Sequence, residues 1–439
     1  MLVQSESRLE HARTTAGPLV PKGMMAPFVL VTALFFLWGL PNNLNDVLIR
    51  QFMKSFQLTR FQAGLIQSAF YCGYFLLATP AALMMRRFGY KSGMVAGLCL
   101  LGTGTFLFWP AALVGQYWFF LLALFVIASG LSFLETASNP FIAQLGEPES
   151  AARRLNFSQA FNPIGAITGV LAGTLFIFSG VELAPAQVAS MKVAKTYNRY
   201  LRDETLRVVN PYLVIGGLAF LLAILIWRCR FPAVATESVE GYSGNSSFKD
   251  LLRYPHFLTA ICAQFMYVGA QVGTWSYFIQ YVQDYTHRPE KIAGYFLTGT
   301  LFAFGIGRFA SSALMGKVSA ARLMGIYSVI NVGLLAVGSF VPGWAGLWTI
   351  FLSSFFMSVM YPTIFALGIE GLGENTKIAA SLIIMAIVGG AVLTPIMGFI
   401  SQRTGSIANA YAVPLTGYVF VALYAFWGAH LRPLRRQHS

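Results

Sequence analysis

Trp118–Leu134 reads WFFLLALFVIASGLSFL, an uncharged stretch that runs directly into Glu135 and continues as TASNPFIAQLG. A run of that length and polarity reads as a membrane-spanning helix, the element that satisfies its own backbone groups inside hydrocarbon. The carboxylate that follows is costly there. On insertion scales an acidic side chain at the bilayer centre costs roughly 2.5–3.5 kcal/mol. Glu135 must therefore face protein or a water-filled cavity, or take up a proton. It is a candidate for proton or substrate handling, against the plainer alternative of hydrogen-bonding glue between helices.

The rest of the chain extends this reading. Of 439 residues, 56% are hydrophobic and 10% charged, with a mean hydropathy of +0.63, whereas soluble domains carry about 25% charged residues. Short alternating strands, which a membrane barrel needs, do not dominate. The net charge of +14 would suggest a nucleic-acid partner in a soluble protein. No aromatic-basic motif stands in a polar segment, however, so no nucleic acid is expected and the positive-inside rule accounts for the charge. The polar segment before Met24 lacks a short apolar core with a cleavage site, so a cleaved signal peptide is not expected. Cys72, Cys99, Cys229 and Cys262 show no CxxC or Cys/His spacing and read as four small buried side chains.

Twelve apolar segments stand at 26–51, 61–86, 92–112, 116–144, 157–180, 210–230, 255–283, 292–316, 321–342, 344–371, 377–402 and 408–431. The interruption at 231–254 is polar and Gly/Ser-rich, as a linker between two six-helix halves would be. The expected organisation is a tail at 1–25, bundles at 26–230 and 255–431, the linker between them, and a tail at 432–439. Eighteen of the thirty Lys and Arg residues fall on the side of the termini and eleven opposite, with Arg308 inside a span. That bias places both termini in the cytoplasm. Segments 5 and 11, FNPIGAITGVLAGTL and MAIVGGAVLTPIMGFI, are both interrupted by Gly and Pro. An all-α membrane protein of two pseudo-symmetric six-helix bundles, with broken helices at matching positions, is similar to transporters of the major facilitator type.

The polar residues within the spans form small groups. PNNLNDVLIRQF in the first span sets Asn42 and Asn43 four and three residues before Asp46, so both amides can flank the carboxylate. Asp46 is either a buried protonatable group lining a cavity or a polar helix end in water. Ser132, Glu135 and Asn139 share a stripe, and Pro140 loosens the helix beside it. Gln159 and Asn162 open the fifth span. Gln67, Tyr71 and Tyr74 align on the second, and Gln264, Tyr267, Gln271 and Trp275 on the seventh. Amides and carboxylates bond sugar hydroxyls in pairs, while aromatic rings pack on a sugar's C–H face. Interhelical hydrogen bonding and aromatic packing are the plainer alternatives. Arg308 is expected to snorkel or form a structural ion pair rather than touch substrate. Gly-rich runs lack the Lys-Ser/Thr ending of a phosphate loop. No metal cluster, nucleotide motif or nucleophile-base set stands in the sequence, so neither an enzyme nor a cofactor is expected.

NNLNDVL, FQAGLIQSAFYCGYF, LETASNPF, LNFSQAFNPIGA, YVGAQVGTWSY and MYPTIFALGIEGLG together resemble the fucose permease family of the major facilitator superfamily, from about Pro27 to past Gly398. Relatives that carry glucose, galactose or N-acetylglucosamine share part of these patterns. The resemblance implies a proton-coupled importer of a neutral sugar in the bacterial inner membrane, working by alternating access as a monomer, with L-fucose the expected substrate. It implies that Asp46 and Glu135 couple protons. It also implies that Asn43, Gln159 and Asn162 line a central cavity with Glu135, and Gln271 fits the same branch. Tyr267 and Trp275 join them on chemical grounds alone. The sequence departs from the family pattern at Arg50, where proline is expected, at Pro163, where serine is expected, and at Pro41 before the asparagine pair. An efflux antiporter would also use intramembrane carboxylates, but with a mainly apolar cavity.

Overall fold

The structure is a computed structural model that describes residues 20, 23–146, 154, 157–231, 251–315, 318–372 and 376–431. The expected tail at 432–439, most of the tail at 1–25 and most of the expected linker lie outside the described residues, as do Arg8, Arg13, Lys22, Arg153, Lys249, Lys317, Arg432, Arg435 and Arg436 of the charge bias.

Among the described residues, twelve helices are long and apolar enough to cross a membrane: Met25–Ser55, Arg60–Met85, Arg87–Val114, Tyr117–Ile142, Phe157–Ile177, Tyr197–Arg228, Pro255–Ser276, Glu290–Ser311, Ala320–Phe340, Trp344–Ile369, Leu382–Thr404 and Ile407–His430, here spans 1 to 12. Their number and order agree with the sequence expectation. Span 6 begins earlier than hydropathy indicates, because the polar helix Tyr197–Leu206 leads into it, and a further helix, Pro185–Val193, precedes that. Both lie in a stretch read from the sequence as an interruption. The four cysteines also differ from expectation. Cys99 and Cys262 are exposed and the other two half-buried, because a membrane protein turns apolar side chains outward as well as inward.

The interruptions in spans 3, 5 and 11 fall at or beside Gly. The continuous helix Arg60–Phe106 that carries span 2 and most of span 3 is interrupted near the start of span 3 at Gly89, whose φ of 77° lies in the left-handed region that glycine adopts without a Cβ clash. Span 5 ends in a π-helical turn at Gly173–Ile177, and span 11 passes through a 3-10 turn at Ala386–Val388. Span 7 ends its regular helix at Ser276, breaks at Tyr277 and resumes as Phe278–Thr286.

Small residues set the closest helix contacts. A Cβ on Gly165 would lie 2.1 Å from the Phe36 carbonyl oxygen, so spans 1 and 5 touch backbone to backbone. A Cβ on Gly389 would lie 1.9 Å from the Phe265 carbonyl oxygen, joining spans 7 and 11 in the same way. The first six spans and the last six meet mainly through span 2 along span 11, span 5 against span 8 and span 1 against span 7.

Among the described residues, the hydrogen bonds and ion pairs joining these two sets gather at one end, where span 1 finishes and span 2 begins. Arg60 forms an ion pair with Asp284, its Nη1 donates to Ser401 Oγ at 2.7 Å, and Tyr277 donates to its carbonyl at 2.6 Å. Deeper in, Ser68 Oγ donates to the Ala391 carbonyl at 2.6 Å. We call this the closed end.

Candidate functional site

Asp46 and Glu135 sit on spans 1 and 4 and are joined through the tyrosines of span 2. Tyr71 lies within electrostatic reach of both carboxylates. One turn on, Tyr74 donates its hydroxyl to Glu135 Oε1 at 2.9 Å. Helical periodicity puts Gln67, Tyr71 and Tyr74 on one face of span 2, and that face looks at both acids.

Asp46 is 3% exposed. It is therefore not a helix end in water, and the alternative that the sequence left open does not hold in this structure. Its Oδ1 accepts Gln67 Nε2 at 3.0 Å and Ser276 Oγ at 2.9 Å, and Asn43 Nδ2 approaches Oδ2 at 3.4 Å. The expected pair of flanking amides is thus half present. Asn42 turns instead toward Tyr74.

Glu135 is half-buried. Among the described residues neither it nor Asp46 has a salt-bridge partner. Carboxylates embedded in a span and held by neutral donors can take up and release protons without breaking an ion pair. Asn139 Nδ2 donates to the Glu135 carbonyl at 3.0 Å, and its Oδ1 accepts Gln159 Nε2 at 3.2 Å. A chain of polar groups therefore links span 4 to the start of span 5. Asn162 Nδ2 reaches the Phe35 carbonyl of span 1 at 3.4 Å.

The remaining expected site residues stand on span 7 in the second half. Tyr267 is fully buried and donates to the Met357 carbonyl at 2.9 Å, and Trp275 Nε1 donates to Ser354 Oγ at 3.1 Å. The polar tips of both are engaged by protein in this conformation. Gln271 is half-buried on the same span. Gln264, aligned with it in sequence, is fully buried instead. Of the two arrangements expected for Arg308, snorkelling or an ion pair, no ion pair is formed among the described residues. Its guanidinium lies 5.0 Å from the Phe304 ring, and Phe304 packs edge-on against Trp275. Tyr361 lies within electrostatic reach of both Arg308 and Glu135.

Sequence reasoning did not find Ser276, a residue type too common in spans to stand out. It also missed a charge cluster at the closed end. Lys54 Nζ lies 3.0 Å from Glu290 Oε1 and 3.3 Å from Glu204 Oε2, and Arg50 Nε lies 3.9 Å from Glu290 Oε2. The Glu290 side chain is fully buried and that of Glu204 is 4% exposed. Arg50, noted only as a departure from the family pattern, belongs to this cluster.

Comparison with known proteins agrees with this architecture. Residues 28–395 match the Major Facilitator Superfamily. The chain is 41% identical over 408 residues to the L-fucose-proton symporter of Escherichia coli strain K12, covering 92% of this chain and 93% of that protein. It is 32% identical over 406 residues to the glucose/galactose transporter of Brucella abortus, covering 91% and 93%. A crystal structure of the fucose transporter FucP in the outward conformation superposes with a TM-score of 0.69 at 41% identity, covering 91% of this chain and 98% of that one. A crystal structure of a D-xylose-proton symporter gives a TM-score of 0.70 at 12% identity, covering 94% and 100%, which shows the shared fold alone. The chain belongs to the major facilitator superfamily, within the family of the L-fucose–proton symporters.

Proposed function

We propose that this chain imports a neutral sugar together with protons, that L-fucose is its substrate, and that Asp46 and Glu135 are the coupling carboxylates. One observation carries the coupling: both acids lie within spans, share the span 2 tyrosines and are held by neutral donors. The substrate class follows from the polar groups around them. Asn43, Glu135, Gln159, Asn162 and Gln271 offer paired donors and acceptors for hydroxyls, and Trp275 and Tyr267 supply an aromatic wall. The choice of L-fucose rests on the relatives named for that sugar.

The mechanism is alternating access. The halves, residues 26–230 and 255–431, rock about the central site, joined by the linker at 231–254. With both termini in the cytoplasm, the closed end faces outward, and this conformation has its outer side shut. The E. coli relative at 41% identity superposes only to a TM-score of 0.69, and its structure is of an outward conformation. A rigid-body difference between the halves accounts for a moderate superposition at that identity. With the outer side open, a carboxylate takes a proton and sugar binds. Closure follows, the inner side opens, and sugar and then proton leave. No covalent step is required. A monomer contains all of these parts.

The test is uptake of labelled L-fucose into proteoliposomes with and without an inward proton gradient, in competition with D-glucose, D-galactose and N-acetylglucosamine. Gradient-dependent uptake competed by L-fucose is expected. Uptake of D-glucose or D-galactose with no response to L-fucose would move the substrate to that of the Brucella relative. Export of amphiphilic compounds with no sugar uptake would overturn the reading.

A further inference from the structure

Asp46 is held from both halves of the molecule at once. Gln67 on span 2 and Ser276 on span 7 donate to the same carboxylate oxygen, at 3.0 and 2.9 Å, and Gln67 Nε2 also lies 2.9 Å from Ser276 Oγ. The three side chains are 3%, 1% and 0% exposed. Among the described residues, the opposite oxygen, Oδ2, has only the long contact from Asn43.

The position of Ser276 gives this arrangement a mechanical consequence. It is the last residue of the regular helix in span 7, and the segment immediately after it grips the start of span 2. Tyr277 bonds the Arg60 carbonyl, and Asp284 pairs with the Arg60 guanidinium. Separating the halves at this end therefore carries Ser276 away from Asp46.

We propose that Gln67 and Ser276 are positioning residues for proton coupling, forming a clasp that holds the ionised Asp46 carboxylate across the boundary between the halves only while this end is closed. The proposal rests on the reading of the chain as a proton symporter and deepens it. An ionised carboxylate is acceptor-only and suits two donors on one oxygen. Such charge-assisted bonds are about twice as strong as those to a neutral acid. Burial by itself disfavours the charge; the clasp acts against that burial, and with both charge-assisted donors in place a proton bound at Asp46 is driven off on closing this end. Opening it withdraws the Ser276 hydroxyl and favours proton uptake. Linkage makes the effect reciprocal: losing the proton favours the closed state by the same factor.

The titratable groups within electrostatic reach of Asp46 are the phenols of Tyr71 on span 2 and Tyr212 on span 6. Tyrosines ordinarily titrate near ~10, above the range that matters here. Glu135 on span 4 lies beyond Tyr71, and the charges of Arg50, Lys54, Glu204 and Glu290 lie toward the closed end. A substitution at Asp46 separates its contribution from theirs.

Ser401 gives a readout that needs no sugar. It is fully buried and bonded to Arg60, so a cysteine there reacts with a thiol reagent when the closed end opens. The protein to use is Ser401→Cys with the four native cysteines changed to serine, in detergent, with rates normalised at each pH to the denatured protein. Labelling should slow roughly tenfold from pH 5 to pH 8 as Asp46 ionises, the size expected of one lost hydrogen bond to a charged group. Ser276→Ala and Asp46→Asn should each flatten this profile to less than about twofold, and Ser276→Thr should restore it. Gln67→Leu makes the same test should Ser276→Ala not fold. In proteoliposomes, Ser276→Ala should lower gradient-driven accumulation more than sugar exchange. An unchanged pH profile in Ser276→Ala, or one that persists in Asp46→Asn, overturns the clasp. Failure of the wild type to move any sugar would overturn the transport reading instead, while the labelling profile still decides the clasp.

Discussion

Tyr74 donates its hydroxyl to Glu135 Oε1 at 2.9 Å while Ser132 of Glu135's own span donates to the Tyr74 carbonyl at 3.3 Å. Spans 2 and 4 are thereby stitched at the carboxylate itself. A phenol donates to a carboxylate or to a neutral acid's carbonyl oxygen, so this contact can hold Glu135 in place in either protonation state.

Glu135→Gln keeps the contact with Tyr74 but cannot titrate. One proton per sugar moving down 100 mV supplies about 2.3 kcal/mol, an accumulation of roughly 45-fold. The variant should lose this concentrating power, with its internal-to-external sugar ratio falling to about 1. Exchange of sugar across the membrane should survive. Concentrative uptake at the wild-type level would remove Glu135 from coupling.

Asp46→Asn removes the charge from the clasp and leaves an amide in a site built of donors. Its carbonyl oxygen can still accept from Gln67 and Ser276, but those bonds are no longer charge-assisted. Gradient-driven uptake should fall at least about tenfold, with sugar exchange less affected. A transport rate and pH profile equal to wild type would leave Glu135 as the sole coupling group.

Lys54 bridges Glu290 from the second half and Glu204 from the first. Lys54→Met leaves Glu290 with the longer Arg50 contact and Glu204 with the Gln51 amide at 3.0 Å, and breaking such a buried pair on one side costs up to about 3–5 kcal/mol, whereas removing both partners costs much less. The single variant should open the closed end, read as faster labelling of a cysteine at position 401. Lys54→Met combined with Glu290→Gln should recover part of the protection. Equal labelling in wild type and Lys54→Met would show that the cluster does not hold this end shut.

Gly165 lies against the backbone of span 1. Gly165→Leu should push spans 1 and 5 apart at a cost of about 1–3 kcal/mol or more, lowering the melting temperature in detergent. Gly165→Ala should lower it less. A melting temperature unchanged by leucine would mean that the two spans do not pack at this distance in the folded protein.

The sequence alone determined the number and order of the spans, because a hydrocarbon slab imposes a length and polarity that each segment shows by itself. It also singled out Glu135 and Asp46, because a carboxylate in such a segment contradicts its surroundings. The face of span 2 carrying Gln67, Tyr71 and Tyr74 was legible too, since helical spacing is a local property. The partners of those residues were not. Ser276 reaches Asp46 across 230 positions, and Glu204 and Glu290 are brought to Lys54 from two different parts of the chain. Arg308 lies on the Phe304 ring, within electrostatic reach of Tyr361, a placement that its charge alone did not indicate. Hydropathy and periodicity report how a segment meets the membrane. Which residues of the two halves touch depends on how the halves are packed and which end is closed, and that belongs to the tertiary structure.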